Sequence, residues 1–199
     1  MNKEKSYIAH SDAEAKALHD GSQTVIVIPL EPQPPRAVYR HSDRYWMTLE
    51  ECGVAHGPWE CLYAAGDAIA VKEGLYRAYG AVWNYSADNE EVSLDYWRDG
   101  QWMEQYHEWD REMESDECPA ASMPLFAVRT RLIVKALACK QVQSITTMQE
   151  IAYCGRYMPD SDYTSRTYRE HLIRRWDREH PQHLWVSNPW CWFVEVTKR

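Results

Sequence analysis

The chain has 199 residues and carries a formal net charge of −8, because 30 Asp and Glu residues outnumber 22 Lys and Arg residues. This charge disfavours a uniformly basic nucleic-acid-binding protein, and a hydrophobic fraction of 45% excludes a disordered chain. No apolar run approaches the ~20 residues of a membrane span, and the polar amino terminus has no signal-peptide core. We therefore expect a soluble, cytoplasmic protein with one domain over residues 1–199.

The six cysteines form no C-x-x-C pair and have no regular spacing, which in an intracellular chain indicates free thiols. Only Cys52, His56 and Cys61 cluster in the sequence as possible zinc ligands, and a fourth ligand is not apparent. The sequence therefore predicts neither a metal site nor a cofactor.

Nearly all of the charge imbalance lies in one stretch, Asp88 to Glu117, which we call the acidic segment. It holds twelve acids and two bases, a formal charge of −10 that leaves +2 for the rest of the chain. The pattern indicates a nearly neutral body that carries an acidic insertion.

In chain order, the first predicted element is a short helix that begins at the capping residue Ser11, extends to Asp20 and stops at Gly21. The β-branched run Thr24–Leu30 predicts a buried strand, and Ala68–Glu73 predicts another. Weaker strands are predicted at Ala37–Arg40, Tyr45–Leu49 and Tyr76–Tyr85, the last of which is expected to continue the sheet.

The acidic segment follows, and its Trp102, Tyr106 and Trp109 recur at i, i+4 and i+7, which predicts one aromatic face of a helix. After it, Phe126–Ala138 alternates apolar residues with Arg129 and Arg131 and predicts the longest strand. The remaining predicted elements are a capped helix over Thr146–Gly155, a longer arginine-rich helix over Asp160–His180 and a final strand over Trp190–Thr197.

The order of these pieces resembles phage and prophage members of the ASCH family, which belong to the PUA-like superfamily. Besides the helix ending at Gly21 and the strand ending in Pro29, the resemblance rests on four short stretches. They are CLYAAGDAIAVKEG, CPAASMPLFAVRTRLIV, Ser144-Ile145-Thr146 and NPWCWFVEV. It implies an α+β fold, a small mixed β-barrel with flanking helices, and leaves the acidic segment as an insertion at about 88–117.

The resemblance also implies a cleft suited to RNA or a modified nucleobase, where some family members hydrolyse an acylated cytidine or cleave RNA. The family signature G-x-K-x-x-(E/T)-x-R falls here on Gly21, Gln23, Ile26 and Ile28, so the lysine, the acid or hydroxyl, and the arginine are all replaced. Because an amide and two isoleucines supply no nucleophile and move no proton, that chemistry does not carry over. Thr24 lies beside the catalytic position of the family rather than on it.

Glu73 matches the acid of a V-R-E stretch of the family, with Lys72 in place of its arginine. Since successive strand residues face opposite sides, one of the two can point into the cleft, and the alternative is a charge pair in solvent. The family's histidine before Met-Pro and arginine after it are replaced by Ser122 and Leu125. Arg129 and Arg131 remain, where they either hold an anion in the cleft or cover a solvated face.

The sequence contains no Gly-rich phosphate loop, no H-E-x-x-H and no G-x-S-x-G. Carboxylates are abundant in the acidic segment, but such runs more often serve solvation than acid–base pairing. Together with the replaced signature, this predicts a protein that is not an enzyme.

Two binding functions remain open. In the first, the chain binds RNA or a modified nucleotide through a residual cleft and the arginine-rich helix, with arginines on phosphates and aromatic rings stacking on bases. The residual cleft comprises Gln23, Thr24, Lys72, Glu73, Arg129 and Arg131, and the predicted RNA contacts are Arg166, Arg169, Arg174, Arg175 and Arg178.

In the second, the chain binds a host protein through an acidic surface that mimics nucleic-acid phosphates and enters a basic, nucleic-acid-binding groove. For a phage-type chain this describes an inhibitor of host defence, similar to an anti-CRISPR protein. We favour this function, with a surface made of Glu104, Glu108, Trp109, Asp110, Glu112, Glu114, Asp116 and Glu117. The alternatives for the segment are a solvated insertion with an aromatic underside, or one that folds back and masks the arginine-rich helix.

Overall fold

The computed structural model describes residues 4–34, 38–40, 45–49, 55–78, 82–92, 101–154 and 168–199. The fold is mixed α and β. The strands are β1 (Lys5–Ile8), β2 (Val25–Pro29), β3 (Val38–Arg40), β4 (Tyr45–Leu49), β5 (Ala55–Glu60), β6 (Ala68–Lys72), β7 (Leu75–Ala78), β8 (Val82–Tyr85), β9 (Glu117–Cys118), β10 (Thr130–Gln141) and β11 (Trp190–Lys198). The helices are α1 (Asp12–Asp20), α2 (Gln101–Glu112), α3 (Thr147–Cys154) and α4 (Tyr168–Glu179).

The first helix has the predicted ends. The Ser11 side chain accepts a hydrogen bond from the backbone N–H of Glu14, and Gly21 ends α1 in the left-handed region at φ 78°. Helices α3 and α4 also lie within their predicted spans, although Gly155 and residues 160–167 fall outside the described residues. None of the described helices is both long enough and apolar enough to cross a membrane.

Five strands form the central sheet in the order β1-β6-β10-β11-β2. Strands β1 and β6 are parallel, and the remaining pairs are antiparallel. Strands β1 and β2 are the edges of this sheet. In the described part of the chain the sheets do not close, so the predicted small barrel is wrong there.

The other strands form two three-stranded sheets, β3-β4-β5 and β8-β7-β9. The prediction that Tyr76–Tyr85 continues the main sheet is wrong, because β7 and β8 pair with each other. The end of the acidic segment then supplies β9, which pairs with the other edge of β7. The β7–β8 hairpin therefore belongs to a separate sheet, which is completed by β9, a strand distant in the sequence.

The longest strand begins later than predicted. After Pro124, Leu125–Ala127 forms a single 3-10 turn, and β10 starts at Thr130. The predicted alternation is confirmed from there, since Thr130, Leu132 and Val134 are buried.

Apolar side chains fill three regions. One face of the central sheet packs residues such as Ile26, Ile69 and Leu132 together. The other face, with Val27 and Phe193, packs against the helices α3 and α4. A third cluster lies under the β8-β7-β9 sheet and includes the aromatic side of α2. The acidic segment is thus built onto the body through its own small core.

Candidate functional site

Aromatic side chains anchor the acidic helix α2 to the body. The Trp109 ring lies 4.8 Å from the Trp83 ring and 5.7 Å from the Phe126 ring, and Tyr106 lies 6.4 Å from Phe126. Met113 packs against the same cluster. The predicted aromatic face is therefore confirmed at Tyr106 and Trp109, and it is turned inward. Trp109 is thus half-buried in packing rather than displayed with the acids.

Asp110 is a second anchor of α2. Its carboxylate accepts a hydrogen bond of 2.7 Å from the Trp83 indole N–H and one of 3.1 Å from the Arg77 guanidinium. Arg77 also lies 3.6 Å from Asp116. Asp110 thus serves the attachment of the helix and is less available to a partner than sequence reasoning assumed.

The remaining described acids of α2, of the turn after it and of the start of β9 are exposed: Glu108, Glu112, Glu114, Asp116 and Glu117. Glu108 and Glu112 are one helical turn apart, which places them on the same side of α2. The side chain of Glu104 falls outside the described part of the chain. The structure therefore combines an apolar, anchored side of the helix with an outward row of carboxylates.

At the start of the acidic segment, the half-buried Asp88 and the exposed Glu90 hold Arg129. The Arg129 guanidinium lies 3.0 Å from Asp88 and 2.8 Å from Glu90, and it stacks 3.9 Å above the Tyr85 ring. It also binds both carboxylate oxygens of Glu73 at 2.9 Å. Arg129 is therefore neutralised within the chain and is not available for an external anion.

Glu73 is 1% exposed, so the alternative of a charge pair in solvent is wrong for this residue. Burial raises the pKa of Glu73, and the hydrogen bonds from Arg129 oppose that rise. Lys72, the preceding residue, donates to the backbone carbonyl of Ala121 at 3.4 Å.

The structure disperses the other residues of the expected cleft. Arg131 is 38% exposed and binds Glu4 at 2.9 Å. Thr24 is exposed, and its backbone N–H donates to the Ala152 carbonyl. Among the described contacts, these side chains share no site with Glu73 or Gln23.

Gln23 is buried and belongs to a different polar cluster. Its side-chain amide donates to Glu14 at 3.2 Å and to the Val25 carbonyl at 3.0 Å. Its oxygen accepts from both terminal nitrogens of Arg175 at 3.3 Å. Glu14 in turn accepts from the Tyr7 hydroxyl at 3.0 Å and lies 3.2 Å from Arg175.

Arg175 completes this cluster from α4. It binds Glu179 at 2.9 Å, donates to the Tyr153 carbonyl at 2.9 Å and stacks 4.4 Å above the Tyr153 ring. The Tyr153 hydroxyl donates to Glu179 at 3.0 Å. Burial, reinforced by the charge of Glu14, raises the pKa of Tyr7, so this phenol stays protonated as a donor. We call Tyr7, Glu14, Gln23, Tyr153, Arg175 and Glu179 the Arg175 cluster.

Sequence reasoning missed the Arg175 cluster, although two signals point toward it. Glu14 stands at the third position after the cap Ser11, and Arg175 and Glu179 are one helical turn apart. Both signals describe local pairs within a helix. Neither shows that the two helices meet.

The other described arginines of the arginine-rich helix are exposed, but they differ in their partners. Arg169 pairs with Glu150 and lies 5.8 Å above the Trp185 ring. Arg174 is exposed, and Arg178 is 72% exposed and 4.0 Å from Glu179. Arg166 lies outside the described residues. The basic surface on this helix is therefore smaller than predicted.

The described anchors of α2 lie in the β8-β7-β9 sheet and at Phe126, so they give no support to an acidic segment folded onto α4. No group of three or more His, Cys, Asp or Glu side chains within the described ranges could hold a metal ion. Cys61 is buried, while Cys52 and the side chain of His56 fall outside those ranges.

No family model, curated protein or solved structure matches this chain.

Proposed function

We propose that this chain is a binding protein whose working surface is the outward side of α2 and the turn after it. The observation that carries the proposal is the anchoring of α2 by Tyr106, Trp109 and Asp110, which holds the exposed acids outward. The partner would be a host protein with a basic groove that normally binds nucleic acid. This describes an inhibitor of host defence acting as a nucleic-acid mimic, as anti-CRISPR proteins do.

An anchored helix is a better electrostatic ligand than a flexible acidic tail. Its backbone is already ordered, so binding does not incur that entropy cost again. Fixed carboxylates at helical spacing also present a charge pattern that a basic groove can match, which accelerates encounter and excludes acidic partners. A solvated insertion with an aromatic underside would share the packing of Trp109, so partner binding by the exposed acids is what separates the two alternatives.

Outside α2, the contacts made at the positions of the family signature support binding rather than catalysis. The position of the family's lysine holds Gln23, which is used inside the Arg175 cluster, and Ile26 is buried in the core. We propose that the chain is an ASCH-like protein whose ancestral cleft has been filled by internal ion pairs. RNA binding has less support, because Arg129 and Arg175 are already occupied by carboxylates.

The test is capture of a partner from host lysate with three forms of the purified protein. The surface variant is Glu108→Gln/Glu112→Gln/Glu114→Gln, which leaves the anchor Asp110 in place. A control variant, Glu60→Gln/Glu170→Gln/Glu195→Gln, removes the same charge from exposed acids elsewhere. We expect the wild type and the control to capture the same protein, duplex DNA to compete for it, and the surface variant to bind at least about tenfold more weakly.

All three forms should unfold at the same temperature, because the substituted acids make no described anchoring contact. Equal capture by the surface variant would contradict the proposal. So would a partner that duplex DNA fails to displace, since a mimic must occupy the nucleic-acid groove.

A further inference from the structure

A pair of histidines, the buried His180 and the exposed His10, lies where the end of α4 meets the connection between β1 and α1. His180 follows α4 directly and is 8% exposed. Its ring lies 4.2 Å from the Trp176 ring and 4.9 Å from the His10 ring. Its Nε2 atom is buried and has no hydrogen-bond partner among the described residues. The Nε2 edge of the imidazole is thus packed as an apolar surface, without an acceptor that would stabilise the charged form of the ring.

The contact joins two parts of the Arg175 cluster. The backbone N–H of His10 donates to Glu14 at 2.7 Å, and the backbone N–H of His180 donates to the Trp176 carbonyl at 2.8 Å. The Trp176 indole is fixed in turn by a hydrogen bond to the His183 carbonyl. The histidine pair therefore touches both of the segments that Arg175 and Glu14 hold together.

The charged and titratable groups that act on His180 come from each segment packed around it. They are His10 from the β1–α1 connection, His183 from the turn after α4, and Arg175 from α4 itself. All three are cationic when protonated. Burial first, and then these neighbours, lower the pKa of His180 to about 4. A proton on His180 is therefore opposed by both its surroundings and its neighbours.

We propose that His180, whose ring packs edge-to-face against that of His10, is a pH-sensitive latch, which holds the end of α4 against the β1–α1 connection when neutral and releases it on protonation. Release removes the Trp176 and His180 rings from their packing and exposes the Arg175 cluster to water. This device is independent of the acidic surface of α2.

The sign follows from proton linkage. The ordinary pKa of a solvated histidine is about 6.5, so the released state binds a proton at a higher pH than the latched state. The latch is fully effective above that value and weakens as the pH falls toward the lowered pKa of His180. In this window the equilibrium constant for release rises about tenfold per pH unit.

The experiment is hydrogen exchange of the amides of residues 168–180 between pH 7 and pH 4.5, corrected for the pH dependence of intrinsic exchange. We expect the constant for release to rise about tenfold per unit below about pH 6, while the amides of β10 and β11 stay protected. His180→Gln should remove this dependence, and the matched control His171→Gln, on the same helix, should retain it.

An unchanged pH dependence in His180→Gln would overturn the proposal, as would exchange that rises equally in β10 and β11. If His180→Gln does not fold, ring-proton NMR of the unsubstituted protein decides the question. A His180 signal that titrates near its ordinary value excludes the latch, and one that titrates near pH 4 supports it.

Discussion

Arg129 gathers carboxylates from separate parts of the chain. Glu73 follows the strand β6, and Asp88 and Glu90 open the acidic segment, yet all three bind one guanidinium. The side chains of Arg129 and Glu73 are 5% and 1% exposed, so their charges are largely shielded from water. Removing one partner of such a pair leaves the other charge buried and uncompensated, which is more costly than removing both.

Arg129→Met is therefore expected to reduce the free energy of unfolding by about 3 kcal/mol in urea titrations. The double variant Arg129→Met/Glu73→Gln should recover part of that loss, because no buried carboxylate is left unpaired. Arg131→Met is the control, since this half-exposed arginine pairs with Glu4 and should change stability by less than about 1 kcal/mol. Equal losses in the two single variants would show that burial of Glu73 is not the cause.

At the scale of elements, α4 is held to α1 and α3 by polar contacts as well as by packing. The planar guanidinium of Arg175 reaches Glu14, Gln23, Glu179 and the Tyr153 carbonyl at once. A lysine ammonium is a single point with three donors and cannot span these acceptors. The apolar contribution comes from Leu172 and Trp176, which are fully buried on the same helix.

Arg175→Lys keeps the charge but loses the planar, multiple-donor geometry of the guanidinium. It is therefore expected to lower the free energy of unfolding by about 2 kcal/mol. Arg174→Lys, at the neighbouring exposed position, should leave stability unchanged. The comparison needs only chemical denaturation of both variants in one buffer. Similar midpoints for the two would mean that the hydrogen bonds of Arg175 add nothing beyond its charge.

At the scale of the whole molecule, charge is distributed unevenly over the surface. The acidic segment carries −10 and the rest of the chain a net +2. Some arginines of the rest, such as Arg129 and Arg175, are paired with buried carboxylates inside the protein. Of the arginines predicted to contact RNA, Arg169, Arg174 and Arg178 are exposed on α4, and Arg169 is paired with Glu150.

We accordingly expect no appreciable binding of single-stranded RNA at physiological salt. The measurement is a salt titration of fluorescently labelled RNA with the wild type and with Arg174→Ala/Arg178→Ala. Binding through phosphate contacts would weaken steeply with salt and be reduced in the variant. Such a result would favour the nucleotide-binding alternative and count against the acidic surface as the sole interface.

The sequence predicted the elements whose signals are local. Ser11 and Gly21 define α1, and β-branched runs define β2, β6 and β11. It did not predict β1, since a strand as short as Lys5–Ile8 is specified by its partner β6 rather than by its own pattern. For the same reason the hairpin of β7 and β8 was assigned to the wrong sheet.

The candidate site divides in the same way. The acidic charge and the aromatic spacing of α2 could be read directly, and Tyr106 and Trp109 lie on the expected face. The roles of Asp110, Arg129 and Arg175 could not, because each depends on a partner distant in the sequence. An arginine that pairs with a buried carboxylate looks the same in a sequence as one that faces solvent.

The link between Glu14 and Arg175 also constrains the order in which the protein can be completed during synthesis. Glu14 is synthesised early, but the guanidinium that neutralises it lies far downstream in the sequence, on α4. Burial of an unpaired carboxylate is unfavourable. We therefore expect α1 to pack in its final position on the sheet only after α4 has been synthesised. Nascent chains that stop short of α4 are therefore expected to remain incompletely folded around α1.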